Sequence, residues 1–457
     1  MHELHHPAPA SYLGMTAQEI TQDVLQRHES PGRQFWTVAA VLGGLFGLGI
    51  IGFIFLLSNG FDDRNVWGYY AAIFAYIFTV AQSAILVSVA LRMVKAHWRR
   101  PLARISELFA AVGLFNFFLL IPLLWVLPST EGRRSIWFEW PVYSPHIWDT
   151  IALGLLVVLG LALLYFAAIP DMAAVRDHTT GARQRRYQRM AMGWQGTPHQ
   201  WKVLQVGISV LGGFYFMFLI FTHMMISVDY AMSLVPGWKD AIFPAFHAIS
   251  GFQSAVAIIL VTMFILRWKT GLRRYLEVDQ FWGLGKLLLA LCLLWFYFWW
   301  SGFFTYWYGR QPAEQSILKF LMFETYKVPF FLAFALCFVT PLVLLMWNIV
   351  RKTTWGPALA GIIVLVGTFF NVVRFYVPAF SIEDSTLHAL ENVPPANIPG
   401  GADILVIVGA LAGAVLAYML ATRIFPITSI WEMKEGLLLQ RVRTFMKIQI
   451  KVLAKPE

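Results

Sequence analysis

The side chains best able to do chemistry in this chain lie where long apolar segments meet. The stretch 223–244 joins two such segments and carries His223 and Asp229, and a third segment opens near Asp149. Carboxyl and imidazole groups take up and release protons, and histidine does so close to neutral pH. In apolar surroundings such groups are costly and mark functional sites, proton relays above all. We therefore predict that Asp149, His223 and Asp229 belong to one site.

A second set of ionisable residues lies inside the apolar segments. Glu324, Lys327 and Arg374 fall in the same half of their segments as His223, while Glu107 and Lys286 fall in the opposite half. Glu324 and Lys327 are three residues apart, so on one helix they would share a face and could pair. The two sets predict the outer and inner halves of a proton path. The alternative is that they are structural ion pairs.

The composition explains why ionisable residues are so informative here. Of the 457 residues, 58% are hydrophobic and only 13% are charged, against about 25% charged in a soluble protein. Ten runs are long enough to span a bilayer as helices, because about 20 apolar residues suffice. The predicted spans are Phe35–Leu57, Gly68–Val94, Ile105–Val126, Trp148–Ile169, Trp201–Met225, Ala241–Leu266, Phe281–Tyr306, Ile317–Met346, Pro357–Val377 and Ile404–Thr422. The sequence predicts an all-α, polytopic membrane protein.

The basic residues set the predicted orientation. With the N-terminus inside, the cytoplasmic segments carry 26 Lys and Arg and the outer loops carry 6, so both termini are predicted to be cytoplasmic. The net charge of +10 is thus a topology signal, and no nucleic-acid partner is expected. Residues 1–34 form a polar tail and residues 426–457 a second one. Within the latter, Trp431–Leu453 is predicted to be an amphipathic helix against the lipid surface.

Cysteine and histidine restrict the cofactors of this chain. The two cysteines, Cys292 and Cys337, are too few to ligate an iron–sulfur cluster. His223 and His247 lie near the ends of consecutive predicted helices, as axial haem ligands do, but a buried histidine more often bonds to a neighbour. We predict no haem and no iron–sulfur cluster in this chain.

Several stretches in a fixed order resemble the NrfD-like membrane subunits, which include the polysulfide reductase membrane subunit and the two large quinol-related subunits of alternative complex III. The resemblance covers most of residues 35–425. The stretches that carry it are Trp148-Asp149, Ile169-Pro170-Asp171-Met172-Ala173, Arg176-Asp177, Gly193-Trp194-Gln195-Gly196 with Trp201, His223 to Asp229, Pro236-Gly237-Trp238, Ile242-Phe243-Pro244, Lys286, and Asn371 to Arg374.

This resemblance implies an architecture and a set of partners. Helices two to five, about 68–225, and six to nine, about 241–377, would form two four-helix bundles, with the first and tenth helices peripheral. The chain would sit in a bacterial cytoplasmic membrane, as part of a respiratory or photosynthetic complex. An iron–sulfur subunit on the outer face, a second NrfD-like subunit and cytochrome c-type subunits would accompany it. A quinol, menaquinol or ubiquinol, would bind in the first bundle near the outer face.

The predicted quinol site departs from the family at two positions. Family members commonly carry histidines where this chain has Gln82 and Trp125. An amide can hydrogen-bond a quinone carbonyl but cannot accept a proton at neutral pH, so Asp149 would have to accept it. Three hypotheses follow: a quinol site formed by Gln82, Trp125 and Asp149, with proton transfer; a structural and proton-conducting subunit without exchangeable quinone; and a secondary transporter.

Overall fold

The computed structural model describes residues 11–127, 146–383, 389–390, 393–445 and 448–453. Within these residues ten helical spans are long and apolar enough to cross a membrane, which confirms an all-α, multi-pass membrane protein. Spans 1 to 10 are, in order, Arg33–Ser58, Arg64–Met93, His97–Val126, His146–His178, Pro198–Leu234, Phe243–Lys269, Val278–Gly309, Lys327–Met346, Trp355–Phe380 and Gly401–Ala421.

The individual helices are shorter than the spans wherever a turn interrupts them. They are α1 (Ala17–Glu29), α2 (Arg33–Ser58), α3 (Gly68–Ile77), α4 (Ser83–Met93), α5 (Arg100–Glu107), α6 (Ala110–Val126), α7 (His146–His178), α8 (Gly181–Met190), α9 (Pro198–Asp229), α10 (Phe243–Lys269), α11 (Val278–Gly309), α12 (Pro312–Leu318), α13 (Lys327–Phe334), α14 (Thr340–Met346), α15 (Asn348–Arg351), α16 (Trp355–Phe380), α17 (Gly401–Ala421) and α18 (Ile430–Leu438). Single π-helical turns occupy Phe78–Gln82, Lys319–Phe323 and Ala335–Val339.

The ten spans form two bundles and a peripheral pair. Spans 2 to 5 pack around one another, as do spans 6 to 9, and spans 2 and 5 meet spans 6 and 9 between the bundles. Burial follows this arrangement: 94% of the most apolar stretch of span 2 is buried inside the protein, against 17% for span 1. Span 2 is therefore the centre of the molecule, and its ionisable and polar neighbours are shielded from lipid.

Spans 1 and 10 pack against each other at the edge of the first bundle. They approach closely at Gly49 and Gly409, where a Cβ added to Gly49 would lie 2.5 Å from the Cα of Gly409. Helices in membranes approach this closely only where small residues face each other, because dispersion between backbones then replaces contacts with lipid. The pair is thus a separate packing unit, outside the two bundles.

Span 8 differs from its prediction as one continuous helix. The chain leaves helical geometry after the π-turn Lys319–Phe323, and Glu324 has φ −117° and ψ −81°. Helix α13 then begins anew at Lys327. Glu324 and Lys327 consequently do not share one helix face, and the predicted pairing is wrong. The Glu324 carboxylate instead lies 3.9 Å from the Lys319 ammonium, with both side chains exposed.

The C-terminal segment also differs from its prediction as a single amphipathic helix over Trp431–Leu453. Helix α18 ends at Leu438, and the antiparallel strands β1 (Gln440–Phe445) and β2 (Ile448–Leu453) follow it. Their register pairs Gln440 with Leu453. Residues 441–443 and 447–452 alternate polar and branched apolar residues with a period of two, which favours a strand over a helix.

Candidate functional site

Four spans contribute to a buried hydrogen-bonded chain of side chains, here called the histidine chain. The Ser83 hydroxyl lies 3.0 Å from His223 Nε2, His223 Nδ1 lies 2.9 Å from His247 Nδ1, and His247 Nε2 lies 3.1 Å from the Tyr376 hydroxyl. These residues come from spans 2, 5, 6 and 9, and all four are buried. The histidine chain therefore crosses the boundary between the two bundles.

The histidine chain can be satisfied with its hydrogen bonds pointing in either direction. A neutral imidazole carries one N–H, so it donates through one nitrogen and accepts through the other. In one arrangement Ser83 donates to His223, His223 to His247, and His247 to Tyr376; in the reverse arrangement Tyr376 donates first. Each passage of a proton along the chain converts one arrangement into the other. All four ring nitrogens are engaged, which does not fit axial ligation of a haem.

Two acids lie beside the end of this chain. Asp149 in span 4 and Asp229 in span 5 are both buried, and they lie close enough for their charges to interact. Tyr376 lies within electrostatic reach of Asp149, and Tyr230 within reach of both acids. Two carboxylates buried side by side repel each other strongly. We therefore expect the two carboxyl groups to share a proton at the Tyr376 end of the histidine chain.

A glycine makes the Ser83–His223 contact at one end of the chain possible. A Cβ added to Gly251 in span 6 would lie 2.5 Å from the Ser83 hydroxyl and 2.8 Å from His223 Nε2. The ring of Phe78 also packs against His223, with its centroid 4.5 Å from that of His223. The Ser83–His223 hydrogen bond is thus enclosed by apolar atoms, which shield it from solvent and strengthen it.

The residues predicted to hold a quinol are not gathered around one cavity. Gln82 is fully buried, and the Tyr215 hydroxyl donates to its backbone carbonyl at 2.6 Å and lies 3.0 Å from its Oε1. Asp149 is also fully buried, whereas the Trp125 indole lies on the surface of span 3 with 63% of the residue exposed. The structure therefore separates Trp125 from Gln82 and Asp149.

At the predicted inner end, Glu107 lies in a cluster of ion pairs between spans 2, 3 and 4 and helix α18. Its carboxylate pairs with Arg92 and, at 3.0 Å, with Arg104. Arg92 also pairs with Glu432 of α18 at 2.5 Å, and Arg104 with Asp171 at 3.0 Å. At the edge of the cluster, two further arginines pair with Glu435, which also belongs to α18. The Glu435 carboxylate lies 2.9 Å from Arg100 and 3.9 Å from Arg99.

This inner ion cluster contains as many acids as arginines, so its charges balance. Burial opposes ionisation of Glu432, but Arg92 and Arg99 outweigh it and lower the pKa of that carboxyl. Lys286, predicted to act with Glu107, is exposed on span 7, and its ammonium lies 3.9 Å from the centroid of the Trp282 ring. The predicted inner pair is thus not brought together, and Glu107 serves to join α18 to the first bundle.

The remaining predicted residues lie apart from the histidine chain. Arg374 is fully buried in span 9, and its Nε donates to Asn371 Oδ1 at 3.0 Å. Lys327 and Glu324 are exposed. Of the predicted proton path, only the group around His223, Asp149 and Asp229 forms a connected set.

Sequence reasoning missed three members of that set. Ser83 directly follows Gln82, and Tyr376 lies two residues after Arg374, but neutral hydroxyls give no signal in an apolar run. Gly251 is one of 34 glycines in the chain, and only the packing of span 6 against His223 distinguishes it.

The fold and the site define a multi-pass α-helical membrane protein with a hydrogen-bonded, titratable chain between two helical bundles. No protein-family model matches the sequence, and no curated protein matches it.

Proposed function

We propose that this protein is an NrfD-like membrane subunit of a quinone-linked oxidoreductase complex in a bacterial cytoplasmic membrane, and that its own task is to conduct protons. The observation that carries the proposal is the histidine chain, whose four members are hydrogen-bonded in sequence and buried. The resemblance in sequence order supports the assignment to the complex. Its partners would be an iron–sulfur subunit on the outer face, a second NrfD-like subunit and cytochrome c-type subunits.

In this proposal the acid pair and the histidine chain act in succession. A proton on the Asp149–Asp229 pair passes to Tyr376 as the tyrosine hydroxyl proton moves to His247 Nε2. His247 then gives its Nδ1 proton to His223, which releases its Nε2 proton toward Ser83. Rotation of the end hydroxyls resets the chain for the next proton. In this scheme the inner ion cluster has a structural role only. The proton path is formed by the acid pair and the histidine chain, which lie in the predicted outer half of the protein.

The decisive variant is Tyr376→Phe, because it removes one hydroxyl from the chain and keeps the ring. We expect proton transfer by the intact complex in proteoliposomes to slow by about a hundredfold, as for loss of a general acid or base. The matched control is Tyr76→Phe, whose hydroxyl is outside the chain and donates to the Leu365 carbonyl at 3.2 Å. Equal proton transfer in both variants would rule out conduction through the histidine chain.

A second candidate function is a quinol site at Gln82 and Asp149. One observation favours it: Gln82 Nε2 is fully buried without a hydrogen-bond partner in the part of the chain that the structure describes. A quinone carbonyl would accept such a bond, and Asp149 would accept the quinol proton. If Asp149→Asn left quinol turnover of the assembled complex unchanged, and quinone-site inhibitors did not bind through this chain, the subunit would conduct protons without an exchangeable quinone.

A further inference from the structure

A small cavity of about 40 Å³ opens in the second bundle, where Phe243 and Phe375 are among the residues that line it. Spans 6, 7 and 9 and helix α12 form its walls, which are mainly aromatic. The residues that matter here are Asp240, Phe243, Trp299, Gly302, Arg374 and Phe375. Its space is that of a few water molecules, so it admits a small anionic group and is too small for a ring.

Arg374 is the one cation that lines this cavity, and its charge is not balanced. The residue is fully buried, its guanidinium carbon lies 3.9 Å from the centre of the Phe375 ring, and Asn371 takes the Nε proton. Both terminal nitrogens are buried without a hydrogen-bond partner among the described residues. A buried guanidinium that lacks an anion is strongly unfavourable. Arg374 differs in this from the arginines of the inner ion cluster, each of which is paired with a carboxylate.

The acid at the mouth of the cavity is already engaged. The Asp240 Oδ1 accepts hydrogen bonds from the backbone N–H groups of Ile242 at 2.7 Å and Phe243 at 3.1 Å, so it caps the start of span 6. It makes no ion pair with Arg374. The cavity therefore combines aromatic walls with two charged donors that lack a partner among the described residues, and the acid that lines it is not paired with them.

We propose that this cavity binds the anionic head of a lipid-soluble amphiphile, with a carboxylate or phosphate held by the two terminal nitrogens of Arg374. A guanidinium fork matches two oxygens of one anion. The aromatic walls formed by Phe243, Trp299 and Phe375 take the adjoining apolar part, and the remaining hydrocarbon leaves toward the bilayer. A neutral ring compound would exceed the space and would also leave the charge uncompensated. This site is independent of the proton-conducting function.

The test uses the full-length protein with the subunits that copurify with it, stripped of lipid and returned to neutral nanodiscs. Binding of oleate and of dioleoyl phosphatidylglycerol is measured, with dioleoyl phosphatidylcholine as the uncharged comparison. We expect Arg374→Met to weaken binding of the anion by about tenfold or more, since a charge-assisted pair is lost. The control is Lys327→Met, which removes an exposed cation from the same half of the protein and is expected to bind as the parent does.

A second variant fills the cavity and keeps the arginine. A Cβ at Gly302 meets only Asp240 Oδ2, at 3.6 Å, so Gly302→Ala is compatible with the fold, and we expect its methyl group to occupy the cavity and weaken anion binding as well. Tight binding of oleate alone would identify a carboxylate ligand, and of phosphatidylglycerol alone a phosphate ligand. Unaltered binding by both variants, equal binding of the anionic and zwitterionic lipids, or preferential binding of a neutral quinone analogue in this cavity would overturn the proposal.

Discussion

His223 and His247 meet through their Nδ1 atoms, and this contact makes each imidazole dependent on the state of the other. If both were protonated, two N–H groups would face each other at 2.9 Å. The pair therefore accommodates one extra proton at most, and that proton can lie on either ring. Such a pair passes protons singly, and Ser83 and Tyr376 set the two ends of the transfer.

Gly251 offers a test of the histidine chain that leaves all of its members in place. Gly251→Ala would push Ser83 away from His223 and break their 3.0 Å contact. We expect proton transfer by the assembled complex to fall by about tenfold or more, with a loss of stability of about 1–3 kcal/mol from overpacking. The control is Gly213→Ala in span 5, where an added Cβ meets nothing within 4 Å. Undiminished proton transfer in Gly251→Ala would show that the Ser83 end is not used.

At the scale of single residues, the sequence predicts which groups are costly but not which way they face. Asp149, His223 and Asp229 were predicted as one site, and the structure brings them together, because each lies at the same end of a consecutive span. Trp125 and Lys286 were predicted to be functional and are exposed. In a helix that is apolar all round, no periodic pattern distinguishes the face toward lipid from the face toward the bundle.

At the scale of elements, the spans follow from hydropathy, and the interruptions do not. The π-turn at Phe78–Gln82 and the break at Glu324 change neither composition nor hydropathy, so the run of apolar residues conceals them. Yet the π-turn precedes Ser83 directly and sets the direction in which Gln82 and Ser83 face. The prediction of an amphipathic helix after Leu438 is wrong for another reason. Polar and apolar residues there alternate mainly with a period of two, and the chain forms a hairpin.

Helix α1 lies against the predicted inner side, and it provides a prediction about pH. His28 at its end is buried, and its Nε2 lies 2.8 Å from the Tyr187 hydroxyl. Burial, with Arg423 and Arg183 nearby, lowers the pKa of His28 to about 3. When α1 detaches, the imidazole regains a pKa of about 6.5 and takes up a proton below that pH. Docking of α1 should therefore weaken by up to about 1.4 kcal/mol per pH unit below pH 6.5.

Hydrogen–deuterium exchange of residues 17–29 at pH 7.5 and pH 5 measures this effect, after correction for the pH dependence of intrinsic exchange. We expect protection of α1 to fall at pH 5 in the parent protein and to change little in His28→Gln. His199→Gln, at an exposed position, should behave as the parent. Protection that stays constant between the two pH values would contradict the assignment of His28 as a neutral, buried anchor.

At the scale of the whole molecule, the two bundles and the peripheral pair were implied by the resemblance and agree with the observed packing. Composition alone predicts ten spans and leaves their arrangement open, since any two apolar helices can pack in a membrane. Which spans pack against each other depends on the residues at single positions, such as the small residues where spans 1 and 10 touch.

Gly409→Leu is predicted to disrupt the packing of spans 1 and 10 against each other and to leave the two bundles intact. The new side chain would meet the backbone of Gly49, so spans 1 and 10 must move apart. We expect a loss of stability of about 1–3 kcal/mol, seen as a lower midpoint of thermal unfolding in detergent, with proton transfer retained because the histidine chain lies in the bundles. Gly44→Leu, where an added Cβ meets nothing within 4 Å, is the control. A Gly409→Leu protein as stable as this control would argue against the close contact.

The ion pair between Arg92 and Glu432 joins residues 340 positions apart, and this separation matters during synthesis. The ribosome completes spans 2 and 3, with their arginines, long before it makes α18. Until then Arg92 has one of its two acidic partners and Arg100 lacks Glu435. The first bundle is thus expected to stay partly open until α18 has been made and its two acids reach these arginines. The order of synthesis therefore makes α18 the element that completes the first bundle, after all ten spans.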